Sequence, residues 1–173
     1  DLHSFPTRRS SDLLSTEAGP HAYTADQWPI VRRMIHANAD FEFNGLTEFH
    51  PRATEAGLQA ILRGGAPIVA DVGMICTGLS RPRLEHFGLR AHEFINDDDV
   101  IEAARREDTT RAVQAMRKAQ RLGLIDGAIL AIGNAPTALI EIVRMIREDG
   151  ARPALVIGMP VGFVSIIDRK SVV

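Results

Sequence analysis

The sequence predicts an α/β fold: a single three-layer domain in which a mostly parallel central sheet carries helices on both faces. Three observations predict it. Short apolar runs bounded by glycine, proline or charged residues recur at residues 67–72, 91–95, 128–132 and 154–157, with the length and β-branching of buried strands. Longer stretches between them repeat apolar residues every three or four positions, the period of an amphipathic helix. Alternation of the two implies parallel pairing through right-handed crossovers.

In chain order, the first element is a helix. Thr24 is a suitable N-cap, and apolar side chains at Trp28, Val31, Met34 and Ile35 carry the pattern to about Asn38. Pro29 fits its first turn, where a missing backbone donor does no harm. Arg33 and His36 are three apart and project from one face of this helix. A second helix follows Pro51, with Ala53, Ala56, Leu58, Ala60, Ile61 and Leu62 on its apolar side, and stops at Gly64-Gly65. The strand 67–72 comes next, then a strand at 91–95, helices at 98–106 and 110–122, a strand at 128–132, a helix at 136–147 and a strand at 154–157. Asp97-Asp98-Asp99 suits the positive end of a helix, and Thr110 suits a cap.

Parallel sheets bind ligands beyond the carboxyl ends of their strands. That rule selects three loops, 71–83, 133–137 and 158–164. Arg81 and Arg83 in the first, and Arg111 at a helix start, are suited to carboxylates. Asn134 and Thr137 are candidate hydrogen-bond donors, although turn formation and N-capping account for them equally well. The amides opening the helix after Ala135 are suited to holding a carboxylate.

Composition narrows the classes of function. With 173 residues the chain can bury a substantial core without staples. It is 45% hydrophobic and 24% charged with a net charge of -2, which makes no electrostatic case for nucleic acid or an anionic membrane. No apolar run approaches the roughly 20 residues of a spanning helix. The single cysteine, Cys76, cannot form an internal disulfide and fits a reducing cytoplasm. His21, His50, His86 and His92 show no ligand spacing with Cys76 or one another, so no metal site is expected.

Four strings point to one family. Arg33-Met-Ile-His-Ala37, Gly133-Asn-Ala-Pro-Thr-Ala-Leu139, Arg152-Pro-Ala-Leu-Val-Ile-Gly158 and Gly158-Met-Pro-Val-Gly-Phe-Val164 occur in the order and approximate spacing of the precorrin-8X methylmutases, and the chain resembles that family over residues 14–164. Gly65-Ala-Pro-Ile68, Asp71-Val-Gly-Met74 leading to Gly78, and Thr110-Arg111-Ala112 add to the likeness. The stretch 94–106, with Ala39-Asp-Phe-Glu-Phe43, looks closer to the anaerobic branch, whose members act on cobalt-precorrin-8.

The resemblance implies an isomerase of cobalamin biosynthesis that moves a methyl group from ring carbon 11 to ring carbon 12, giving hydrogenobyrinate or cobyrinate. It implies His36 as proton donor and acceptor, a task suited to an unperturbed imidazole pKa near 6.5, with Arg33 in contact with the corrinoid substrate. Arg81, Arg83, Arg111, Asn134 and Thr137 complete the expected substrate-binding set. No cofactor is implied, because the transfer is intramolecular and any cobalt belongs to the substrate. A cytoplasmic homodimer is the family's usual form.

The first thirteen residues, DLHSFPTRRSSDL, show no periodicity and resemble the in-frame translation of a sequencing adapter; the last six, DRKSVV, resemble its opposite strand running into a stop codon. Both ends (1–13 and 168–173) are therefore expected to be non-native, leaving an incomplete methylmutase domain at 14–167 that is truncated at its C-terminus. Two other functions fit less of the chain. One is a noncatalytic corrinoid-binding protein. The other is a phosphate-binding α/β enzyme using the 133 or 158 loop, but the chain lacks a full Gly-x-Gly-x-x-Gly fingerprint and a Walker A lysine.

Overall fold

The computed structural model describes residues 16–159, and the chain divides into two compact units, Asp1–Thr54 and Glu55–Val173. Both expected non-native ends lie outside the described residues, as does most of the expected 158–164 loop.

In the first unit, α1 (Trp28–Asn38) carries Pro29 in its first turn, buries Val31 and Ile35 one turn apart, and ends where Ala39 turns left-handed at φ 52°. Its cap differs from the sequence expectation. Thr24 heads the turn before the helix, where its carbonyl accepts from the Gln27 and Trp28 amides at 3.2 and 3.0 Å. Its hydroxyl donates to the Asp26 carboxylate at 2.5 Å. The neighbouring acid has captured the capping group, and the N-cap position falls to Gln27, with no side-chain cap. Trp28 stacks on His21 at 3.8 Å between ring centroids, and the Tyr23 hydroxyl donates to the Phe43 carbonyl at 3.2 Å while accepting from the Gly45 amide at 2.9 Å. These bonds pin a kinked turn at Phe43–Leu46 that has too few residues to show a period in sequence.

The second unit is built on four parallel strands, β1 (Pro67–Ala70), β2 (Arg90–His92), β3 (Ile129–Ile132) and β4 (Leu155–Gly158), in the order β2-β1-β3-β4. The central strands β1 and β3 are apolar on both faces because both are covered. Val69, Leu130 and Ile132 turn to one face, where α5 (Asp98–Arg106), α6 (Arg111–Arg121) and α7 (Pro136–Glu148) supply Val100, Ala115, Met116, Ala138, Ile142 and Met145. Ile68 and Ile129 turn to the other, meeting Ala60 and Ile61 of α2 (Ala53–Arg63) and Leu84 of α4 (Arg81–His86). The three-layer α/β architecture is as the sequence predicts, with a sheet that is parallel throughout.

Two local expectations are corrected. The strand expected at 91–95 stops at His92, since the Glu93 carboxylate turns back to accept from the Ile95 amide at 3.2 Å. The loop expected over 71–83 contains α3 (Gly73–Gly78) and the start of α4, which has Pro82 in its first turn. As the sequence suggests, the Thr110 hydroxyl caps α6 by accepting from the Val113 amide at 3.2 Å. Asp98 and Asp99 occupy the first turn of α5, and Lys118 of α6 donates to Asp97 and Asp99.

Helices α6 and α7 are joined by a buried acid. Glu141, 5% exposed, accepts from Arg117 Nε at 2.9 Å and from Arg144 Nε at 2.9 Å. Burial pushes its carboxyl up, but the bonds from the two guanidiniums outweigh burial and hold it below the ordinary range.

Candidate functional site

The strand order places a topological switch between β1 and β3: the chain leaves β1 for one side of the sheet and then returns past it to build the other. Crevices at such points, beyond the carboxyl ends of the strands, are where open α/β sheets place ligands. Here the ends of β1 and β3 are tied together. Asp71, directly after β1 and fully buried, accepts from the Gly133 amide at 3.0 Å, the Asn134 amide at 2.9 Å and the Ala135 amide at 2.6 Å. Its own amide donates to the Ala131 carbonyl at 3.3 Å, extending the β1–β3 ladder by one bond. A carboxylate taken out of water needs such donors, and three charge-assisted bonds supply them.

The turn just before the helix that opens after Ala135 thus already holds a carboxylate of the chain itself, on the Gly133, Asn134 and Ala135 amides. At the end of β4 the Met159 amide is likewise used, donating to the Ile132 carbonyl at 2.8 Å. A phosphate would have to displace these internal bonds, which weighs against the phosphate-binding alternative. Asp71 escaped notice as a site residue because its partners lie 62–64 positions away. The available signal was an acid closing an apolar strand in a sheet whose neighbouring strand ends on a Gly-Asn turn.

The Asp71-held loop leads into α7, with Ala135 at the N-cap position and Pro136 in the first turn. Thr137 follows, and its hydroxyl lies 3.0 Å from that of Thr110, the cap of α6. The positive ends of α6 and α7 therefore meet. Arg111, the first residue of α6, and Asn134, just before α7, are both exposed beside this junction. Three of the sequence-predicted residues, Arg111, Asn134 and Thr137, are thus gathered around one pair of helix starts.

Arg81 and Arg83 stand on α4, both exposed. Arg81 Nε pairs with Glu85 at 3.0 Å one turn along, on a surface where such a pair holds weakly and exchanges readily with a ligand carboxylate. His36 and Arg33 belong to the first unit, where both are exposed on α1, off the buried Val31–Ile35 stripe. His36 is therefore not packed in the core. Cys76 on α3 is half-buried; burial raises its thiol above the ordinary value, and the nearby Glu93 carboxylate adds to the rise, so it lacks the thiolate character of a nucleophile.

Among the described residues, no group of three or more His, Cys, Asp or Glu side chains is placed to hold a metal ion, and no helix is long and apolar enough to cross a membrane.

Comparison with known proteins agrees with the motif reading. The profile of the precorrin-8X methylmutase family matches residues 7–173. A cobalt-precorrin-8 methylmutase of Leptospira interrogans is 48% identical over 162 residues, covering 94% of this chain and 73% of the relative. One from Priestia megaterium is 49% identical over 162 residues, covering 94% and 71%. Among solved structures, a precorrin-8X methyl mutase from Thermus thermophilus is 51% identical with a TM-score of 0.82, covering 90% of this chain and 74% of that one.

Proposed function

Since the chain belongs to the precorrin-8X methylmutase family, an isomerase family of cobalamin biosynthesis, we propose that it moves a methyl group from ring carbon 11 to ring carbon 12 of its corrinoid substrate, with His36 as proton donor and acceptor. The preferred substrate is cobalt-precorrin-8, giving cobyrinate, with precorrin-8X and hydrogenobyrinate as the metal-free equivalents. The names of the two curated relatives and the anaerobic-type stretch at 94–106 support the cobalt form.

The observation that carries the reading is His36 itself: an exposed imidazole in the last turn of α1, within the string Arg33-Met-Ile-His36, one helical turn from an exposed guanidinium. A methyl migration within one molecule needs no donor and no redox partner. The imidazolium delivers a proton to the conjugated ring, the carbon–carbon bond to ring carbon 11 breaks as the bond to ring carbon 12 forms, and the proton returns to the imidazole. Arg33, Arg81, Arg83 and Arg111 bind peripheral carboxylates, for which a guanidinium fork is the natural partner. Asn134 and Thr137 supply neutral hydrogen bonds. The chain needs no cofactor for this chemistry; cobalt enters with the substrate. The family pattern further supports a cytoplasmic homodimer as the working form.

Anaerobic incubation with cobalt-precorrin-8, followed by absorbance, tests the proposal. Conversion to the cobyrinate spectrum is expected. Tight binding with no spectral conversion would mark a noncatalytic corrinoid-binding protein and overturn the assignment.

A further inference from the structure

We propose that Asp71 is a positioning residue of the substrate site, acting through the loop that carries Asn134 and opens α7; the inference rests on the reading that Asn134 contacts substrate. Asp71 is anchored in the rigid part of the sheet, since its amide continues the β1–β3 ladder. Its carboxylate then fixes three successive backbone amides, Gly133, Asn134 and Ala135. Three donors held by one rigid acceptor leave the backbone of this turn little freedom, and so set the direction in which the exposed Asn134 side chain leaves it.

The same clamp positions Thr137. It places the start of α7 so that the Thr137 hydroxyl meets Thr110 at 3.0 Å. The loop also approaches α3 closely: a Cβ at Gly133 would lie 3.0 Å from Ile75 Cδ1, so the glycine permits the position that the carboxylate enforces. Closure of the chain alone does not call for such an arrangement. A short exposed turn can leave its amides to water, whereas burying a carboxyl group carries a desolvation cost that only its bonds offset. The use of a fully buried acid at the switch point is explained by a demand for precision, because small displacements of a contact group cost substantial binding or rate.

The test is a double-mutant cycle on substrate turnover with Asp71→Asn, Asn134→Ala and the pair. Asparagine keeps the shape of aspartate but sets an amide donor against at least one backbone N–H. If Asp71 acts through Asn134, each single variant raises KM by about tenfold with kcat nearly unchanged, and the pair is no worse than the poorer single, well short of the ~100-fold of independent sites. A multiplicative pair, or an Asp71→Asn protein with wild-type KM and only a lowered Tm, overturns the proposal and leaves the site reading intact. An Asn134→Ala enzyme with unchanged KM removes the site reading and the proposal with it. Should Asp71→Asn not fold, Asp71→Ser keeps one acceptor without the opposing donor and is read in the same cycle.

Discussion

Replacing Glu141 by glutamine removes one negative charge from the seam between α6 and α7 while keeping its size. Glu141 accepts from Arg117 and Arg144, both at 2.9 Å, and its side chain is 7% exposed. Hydrogen bonds to charged groups contribute about 1.5–3 kcal/mol each. Glutamine retains one carbonyl oxygen for one guanidinium and presents an amide donor to the other, so about one such bond is lost. Both arginines are about one-third exposed and have second partners, Glu107 for Arg117 and Asp149 for Arg144, so water and those acids take up part of the loss. The expected cost is about 1.5–2.5 kcal/mol, or roughly 3–10 °C in Tm for a chain of this size.

The sign with pH is fixed by the lowered carboxyl. Because Glu141 titrates below its ordinary 4.5 in the folded chain, its contribution is fully present above that value and is lost as pH falls through the folded pKa. Thermal unfolding by far-UV circular dichroism, on both proteins from pH 7 down to pH 3.5, should show a gap that is constant near neutrality and narrows below about pH 4.5. Equal Tm values at pH 7, or a gap that persists unchanged in acid, would refute the reasoning.

Two further substitutions test the fold. Leu130→Ala, at a fully buried position on β3, should cost about 2–5 kcal/mol through lost burial and the cavity left behind; urea titration giving less than about 1 kcal/mol would mean that this face is not the packed core described. Thr110→Val removes the cap of α6 and the contact with Thr137, with an expected loss of about 1 kcal/mol. Retention of full stability by the valine protein would show that neither bond contributes.

The sheet was legible because β-branched runs of the length of β1, β3 and β4 have few other uses, and α5, α6 and α7 were legible because several turns repeat their period. The two faces of His36 and Val31–Ile35 could likewise be separated by helical spacing alone. Short elements escaped. Six residues of α3 or α4 do not establish a period, and only Pro82 hinted that Arg81 and Arg83 sit on a helix rather than in a loop. Thr24 showed a different limit: its hydroxyl had two local partners to choose from, and the nearer acid won. The Asp71 clamp was hidden for a third reason, since bonds across more than sixty residues follow from strand order, and order is a property of the folded sheet.

The proposed catalytic role of His36 is tested most directly by comparing turnover and binding in His36→Ala and His36→Asn proteins, with cobalt-precorrin-8 as substrate under anaerobic conditions. Both variants should bind the pigment, seen as quenching or a shift of its absorbance, because the arginines proposed to hold its carboxylates are untouched. Neither should convert it to the cobyrinate spectrum. Normal conversion by either variant would contradict the assignment of His36 as the proton donor and acceptor.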